Sequence, residues 1–193
     1  FEQGITTLRD LISPSSIEIQ SDHFRLGTKY GRTIYVYGYP RTLSTGWLSP
    51  LINIDEVLDI SIYIYPVDTT VVMKNLRKKV TQLEADISLN AEKGRIRNPE
   101  TDAAIQDAEE LRDQLQLGYE KFFRFGLYVT LWADSLDELN YVQHKIETMF
   151  GQLMIFSKVA TSQQEQGMNT TMPMATDQLQ IRRNMNTSAI STS

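Results

Sequence analysis

The chain has 193 residues, 41% of them hydrophobic and 22% charged, with 19 basic against 24 acidic side chains, two histidines and no cysteine. That is enough for one domain of ordinary size with a real core, and the lack of cysteine excludes disulfides, thiolate metal sites and thiol nucleophiles together. A net charge of −5 argues against a chain whose main task is gripping a phosphate backbone, and no run approaches the roughly 18 apolar residues that a membrane-spanning helix needs.

Residues 1–15 form a mixed lead-in broken by Pro14. Two alternating runs follow. In residues 16–26, Ile17 and Ile19 alternate with Glu18 and Gln20; in residues 32–39, Ile34 and Val36 oppose Tyr35, Tyr37 and Tyr39. Period-two alternation of β-branched and aromatic residues predicts strands, with Gly27 and Gly31 supplying the turn of a β-hairpin. Residues 40–56, with two prolines, Gly46 and Trp47, read as a loop holding at most one helical turn. Alternation then returns in residues 58–66, where Leu58, Ile60, Ile62 and Ile64 share one face and Pro66 closes the strand.

From Thr69 the period changes to three and four, through Val72, Leu76, Val80, Leu83 and Ile87, which predicts an amphipathic helix ending near Gly94. Asn98-Pro99 opens a second helix with Ile105, Ala108, Leu111 and Leu115 on one stripe. The short connector implies an antiparallel helical hairpin, coiled-coil-like and reaching roughly 35 Å. Residues 122–132 predict another strand. Ser135 and Glu138 make a capping-box pattern ahead of a helix carrying Leu139, Val142, Ile146 and Met149, and Gly151 ends it. Residues 153–159 predict a last strand, parallel to 122–132 by a right-handed crossover.

The expected architecture is α+β: a mixed β-sheet with helices packed on one face and a protruding antiparallel helical hairpin. Residues 1–159 form the α+β domain, with the hairpin as an insertion at 69–118, and residues 160–193, rich in Thr, Ser, Gln, Asn and Met, form a polar connector. Phe1 is not preceded by a charged-then-apolar leader and the chain stops in a polar run, so both ends read as cuts in something longer.

Motifs for chemistry are sparse. No phosphate-binding G-x-x-x-x-G-K-[ST] pattern occurs, and Gly27-Thr28-Lys29-Tyr30-Gly31 is too short and sits at a turn. His23 and His144 have no second ligand at a metal-binding spacing, and Asp107, Glu109, Glu110 and Asp113 read as the solvated face of a helix. Interaction residues stand out instead: Arg95 and Arg97 at the hairpin tip, Arg41 and Trp47 in the loop, and Arg182 and Arg183 in the connector. The basic tip and the aromatic strand residues leave single-stranded nucleic acid as a weaker option against the acidic balance.

The order of Gly38-Tyr39-Pro40-Arg41-Thr42, Trp47-Leu48-Ser49-Pro50-Leu51, the strand ending at Pro66, a charged helical pair, the strand ending at Trp132, Asp134-Ser135-Leu136-Asp137-Glu138-Leu139 and Arg182-Arg183-Asn184-Met185-Asn186-Thr187 resembles the N-terminal region of TraC-like conjugative-transfer ATPases, the motors of type IV secretion systems. The resemblance covers nearly the whole chain. It implies a non-catalytic assembly and docking domain ahead of a P-loop ATPase domain, with ATP bound only in that missing domain and no cofactor in this chain. It further implies a place in the bacterial cytoplasm, peripheral to the inner membrane, with subunits of the secretion channel as partners and self-association through the full-length protein. The alternative from the residues alone is a self-contained interaction module whose helical hairpin recruits a partner and which has nothing to do with secretion.

Overall fold

A computed structural model describes residues 16–40, 42–92 and 99–192. Its elements in chain order are β1 (Ile17–Ile19), β2 (Phe24–Leu26), β3 (Lys29–Gly38), α1 (Ser49–Ile52), β4 (Leu58–Pro66), α2 (Thr69–Glu92), α3 (Pro99–Gln116), β5 (Phe122–Ala133), α4 (Leu136–Gln152), β6 (Phe156–Val159), α5 (Gln164–Thr171), β7 (Arg183–Asn186) and α6 (Thr187–Ser191). The fold class is α+β. The strands follow the order β1-β2-β3-β5-β4, with β6 also on β3 and β7 on β5. The chain divides into two compact units, residues 1–63 with 126–183 and residues 64–125 with 184–193.

In the first unit β3 is the organising strand. It pairs antiparallel with β2, with β5 in the register Tyr30↔Ala133 to Tyr35↔Tyr128, and with β6 from Ile34↔Val159 onward. Every pair whose register is described is antiparallel, so the sheet is not the expected mixed one. β5 and β6 still run in the same direction, because both oppose β3, which separates them. The crossover helix therefore spans one intervening strand.

Cross-strand partners share a face, which sorts the core. Ile34 lies with Val129, and Arg32 with Leu131. On this face Arg32 Nη1 donates to Asn140 Oδ1 at 2.8 Å and to Gln143 Oε1 at 2.5 Å, so α4 covers it. Leu139, Val142, Ile146 and Phe150 form the buried stripe of α4, each contributing about 1.5–3 kcal/mol by leaving water. Its start is fixed as the sequence predicts: Glu138 N–H donates to Ser135 Oγ at 3.2 Å, and the Glu138 carboxylate accepts from Asp134 N–H at 2.8 Å.

The opposite face carries Thr33 with Thr130 and Tyr35 with Tyr128, and it too is covered. Thr33 Oγ1 and Thr130 Oγ1 are 2.7 Å apart, and Thr130 meets Thr171 Oγ1 at 2.7 Å. A Cβ on Gly167 would stand 2.6 Å from Thr33 Cβ, so α5 lies directly on the strand. Tyr128 packs with Ala160 and Leu179, and its hydroxyl donates to Ile181 C=O at 2.9 Å. Residues 160–182 are thus a second cover on the sheet. The polar connector expected from residue 160 onward is built into the first unit as far as Arg183.

Two local features differ from the sequence reading. Gly27 has φ of 61° and makes the turn, but Gly31 lies inside β3, opposite Phe24. A Cβ there would be 2.3 Å from Phe24 Cζ, so Gly31 is needed for room, not for turning. β4 keeps the predicted alternation, yet its inward anchors are the polar ones: Tyr63 OH donates to Thr170 C=O at 2.8 Å and Ser61 Oγ to Thr171 C=O at 3.2 Å, while Ile62 is 43% exposed.

In the second unit α2 and α3 pack against each other; of the residues the periodicity picks out, Val72, Leu76, Val80, Leu83, Ile87, Ile105 and Leu111 are half-buried and Ala108 and Leu115 buried. Asp68 caps α2 through Thr70 N–H at 2.8 Å, and Gly118, at φ of 77°, ends the turn after α3. Val67 N–H donates to Phe122 C=O at 2.9 Å. The start of α2 therefore lies beside the end of α3, which makes the pair antiparallel. Glu120, 7% exposed, accepts from Ser188 N–H at 3.3 Å and from the Ser188 hydroxyl, and Thr187 exchanges two bonds with Lys121. These contacts dock α6, whose first turn is capped by Asn186.

Candidate interaction surfaces

The sequence singles out six interaction residues, and the structure treats them differently. Arg41, Arg95 and Arg97 lie outside the described residues. Trp47 is 3% exposed and meets Tyr39 edge-on at 5.8 Å, so its ring is a wall of the first unit's packing and not a protruding contact. Beside it Pro40, Thr42, Leu43, Ser44, Leu153 and the exposed Met154 line a shallow cavity of about 330 Å³. Burial raises the Tyr39 phenol above its ordinary range, which keeps it neutral at physiological pH.

Arg182 is committed internally. Its Nε donates to Asp177 Oδ2 at 2.7 Å, and Asp177 also accepts from Gln180 N–H at 2.8 Å. Arg183 is exposed, but its Nε donates to Tyr37 C=O, tying the end of the 160–182 cover to β3. Both arginines therefore stitch the first unit together. Burial, reinforced by the neighbouring Asp177 carboxylate, likewise raises the Tyr128 phenol well above its usual value.

His23 Nδ1 lies 2.9 Å from Asp22 Oδ1, and Asp22 Oδ2 accepts from Arg32 Nη2 at 3.0 Å. The His23 bond and the Arg32 charge hold the Asp22 carboxyl below its usual range. No hydroxyl or thiol among the described residues hydrogen-bonds His23, so the pair has no nucleophile to activate. His144 is exposed on α4, as its position predicts. Among the described residues no group of three or more His, Cys, Asp or Glu could hold a metal ion, and no helix is long and apolar enough to cross a membrane.

The most built surface lies in the second unit. Val72, Asn75, Leu76 and Lys79 recur at three- and four-residue spacing on one side of α2, with Val71 adjacent. Phe122 and Arg124 share a face of β5, being two residues apart. With Val67 and Asn184 these side chains line a groove of about 300 Å³. Five of the nine lining residues are apolar, two are amides and two are cations, and none is acidic. Neither Lys79 nor Arg124 has an ion pair or hydrogen bond among the described residues, whereas Lys29, Arg32, Arg112, Lys145 and Arg182 are all paired. The sequence carries a trace of this: α2 has Lys74, Arg77, Lys78 and Lys79 with no acidic residue before Glu84. The groove itself is not legible there, because its other wall comes from β5, far along the chain.

No family model matches the chain, and the search of curated proteins finds no match.

Proposed function

We propose that this chain is a non-catalytic assembly and docking domain, and that the protein it serves is a type IV secretion ATPase of the TraC-like kind. The observation that supports docking most directly is the helical pair. α2 and α3 leave and re-enter the strands at adjacent positions, bonded at Val67 and Phe122, and pack on each other. The buried residues on the two faces of the first unit's sheet, Ile34, Val129 and Leu139 on one and Tyr128 on the other, belong to a different compact unit from the helices, whose outer faces carry charge in place of chemistry. Devices of that kind offer surface to another protein. The order of sequence segments supports the secretion assignment, with channel subunits at the inner membrane as partners and ATP handled by a following domain. The protein then works in the bacterial cytoplasm, against the inner membrane.

Photo-crosslinking amino acids at the exposed α2 and α3 positions Gln82, Glu84 and Gln106 in the protein in its native cells, followed by mass spectrometry of the adducts, tests the reading. Adducts with secretion-channel subunits are expected. Adducts confined to proteins unconnected with secretion would favour the self-contained module, and no adducts at any position would remove docking through the helices.

A further inference from the structure

We infer that the groove between α2 and β5 is a binding site for a short acidic segment of a partner protein, one that places a carboxylate between Lys79 and Arg124 and one or two bulky apolar side chains against Val72, Leu76 and Phe122. This deepens the docking reading and rests on it only in taking the occupant to be another protein.

Charge is the first reason. The whole chain is acidic, yet this groove has two cations and no carboxylate in its lining, and neither cation has an ion pair or hydrogen bond among the described residues. Three further cations, Lys74, Arg77 and Lys78, lie on the same stretch of α2 but on its other sides. An approaching anion is steered there before contact. An arginine fork and a lysine point charge lining one groove suit a carboxylate, the first by two parallel N–H bonds and the second by position.

Chemistry of the walls is the second reason. Val67, Val71, Val72, Leu76 and Phe122 give a floor that a bare inorganic anion would leave unused, and Asn75 and Asn184 offer amides of the kind that fix a peptide backbone. A volume of about 300 Å³ lies at the small end of ligand sites, with room for roughly two bulky side chains. The occupant is therefore apolar and acidic together.

The test uses the full chain and a fluorescein-labelled peptide, Ser-Gly-Leu-Asp-Phe-Glu-Ser-Gly, with its amide counterpart Ser-Gly-Leu-Asn-Phe-Gln-Ser-Gly, read by fluorescence polarisation. The acidic peptide should bind at least about tenfold more tightly than the amide one, and Lys79→Glu with Arg124→Glu should remove that preference. Asn75→Trp, which fills the groove without changing charge, should weaken both peptides. Circular dichroism checks that each variant folds, which is expected since all three positions are exposed. Equal binding of the two peptides, or acidic-peptide binding untouched by Asn75→Trp, would overturn the site, as would absence of binding to the wild type. Displacement of the peptide by about 1 mM inorganic phosphate would show a bare-anion site and overturn the peptide assignment. Channel adducts in the crosslinking experiment together with no peptide binding here would sink the groove and leave docking standing; the converse would do the reverse.

Discussion

Gln164 gives the sharpest test of how the first unit is held. Along the outer edge of β3, β2 pairs as far as Gly31 and β6 begins at Ile34, which leaves Thr33 facing a gap. The fully buried amide of Gln164 fills it as a strand would: Oε1 accepts from Thr33 N–H at 2.9 Å, and Nε2 donates to Thr33 C=O at 3.3 Å and to Ala160 C=O at 3.1 Å. Both carbonyls have a second donor, from Ala160 and Gln163, but Thr33 N–H has no other acceptor among the described residues. Gln164→Leu keeps the shape and deletes the amide. One buried N–H left unpaired costs about 1–3 kcal/mol, so the expected loss is about 2 kcal/mol, or a Tm lower by about 4–8 °C at this chain length. Urea denaturation followed by tryptophan fluorescence reports on this region directly, since Trp47 and Trp132 both belong to the first unit. Gln164→Glu sharpens the test. A carboxylate still accepts from Thr33 but faces two carbonyls, so its folded-state pKa rises and the variant should regain stability against wild type as pH falls towards 4. A Leu variant within about 0.5 kcal/mol of wild type, the range of an ordinary surface change, would refute the strand-substitute role.

Two further outcomes are expected. Gly31→Ala drives a methyl group into the Phe24 ring and should cost about 2–3 kcal/mol; pairing it with Phe24→Leu should recover part of that loss in a double-mutant cycle, and strict additivity would deny the steric cause. Asp22, with its carboxyl held low in the fold by His23 and Arg32, binds protons more readily when unfolded. Its contribution is therefore fully present above about pH 4 and fades as pH falls through the folded value; because the group is half exposed, screening keeps it to about 0.5 kcal/mol. The stability gap between wild type and Asp22→Asn should appear at pH 6 and close by pH 3, and a gap that persists there would assign it to something other than charge.

Regular periodicity was readable wherever apolar side chains alone decide the packing. The stripes of α2, α3 and α4, the Ser135–Glu138 start of α4 and the long strands β3, β4 and β5 follow from period and capping. Residues 160–182 did not, because they are buried by hydrogen bonding: Gln164, Thr170, Thr171 and Asp177 are all enclosed, and each finds its partner far along the chain or through a tight turn. Hydropathy has no access to such pairing. The same limit explains why Tyr63 and Ser61, and not Ile62, anchor β4 inward, and why Trp47, Arg182 and Arg183 look like contacts in the sequence while serving internal structure. The groove cations could be seen individually but not as a pair, since Lys79 and Arg124 line one groove only after α2 and β5 are brought together.

The bond between Val67 and Phe122 also bears on how the chain finds its fold. β4 and β5 can register only after everything between them has been looped out, and an unstructured loop of that length opposes closure with its entropy. Helices form within about a microsecond. If α2 and α3 zip together first, the two strand ends arrive already side by side and the closure is reduced to a short step. The helical pair is then a folding clamp for the sheet as well as a surface, and changes along its stripe at Leu83 or Leu111 should slow refolding of the strands it joins.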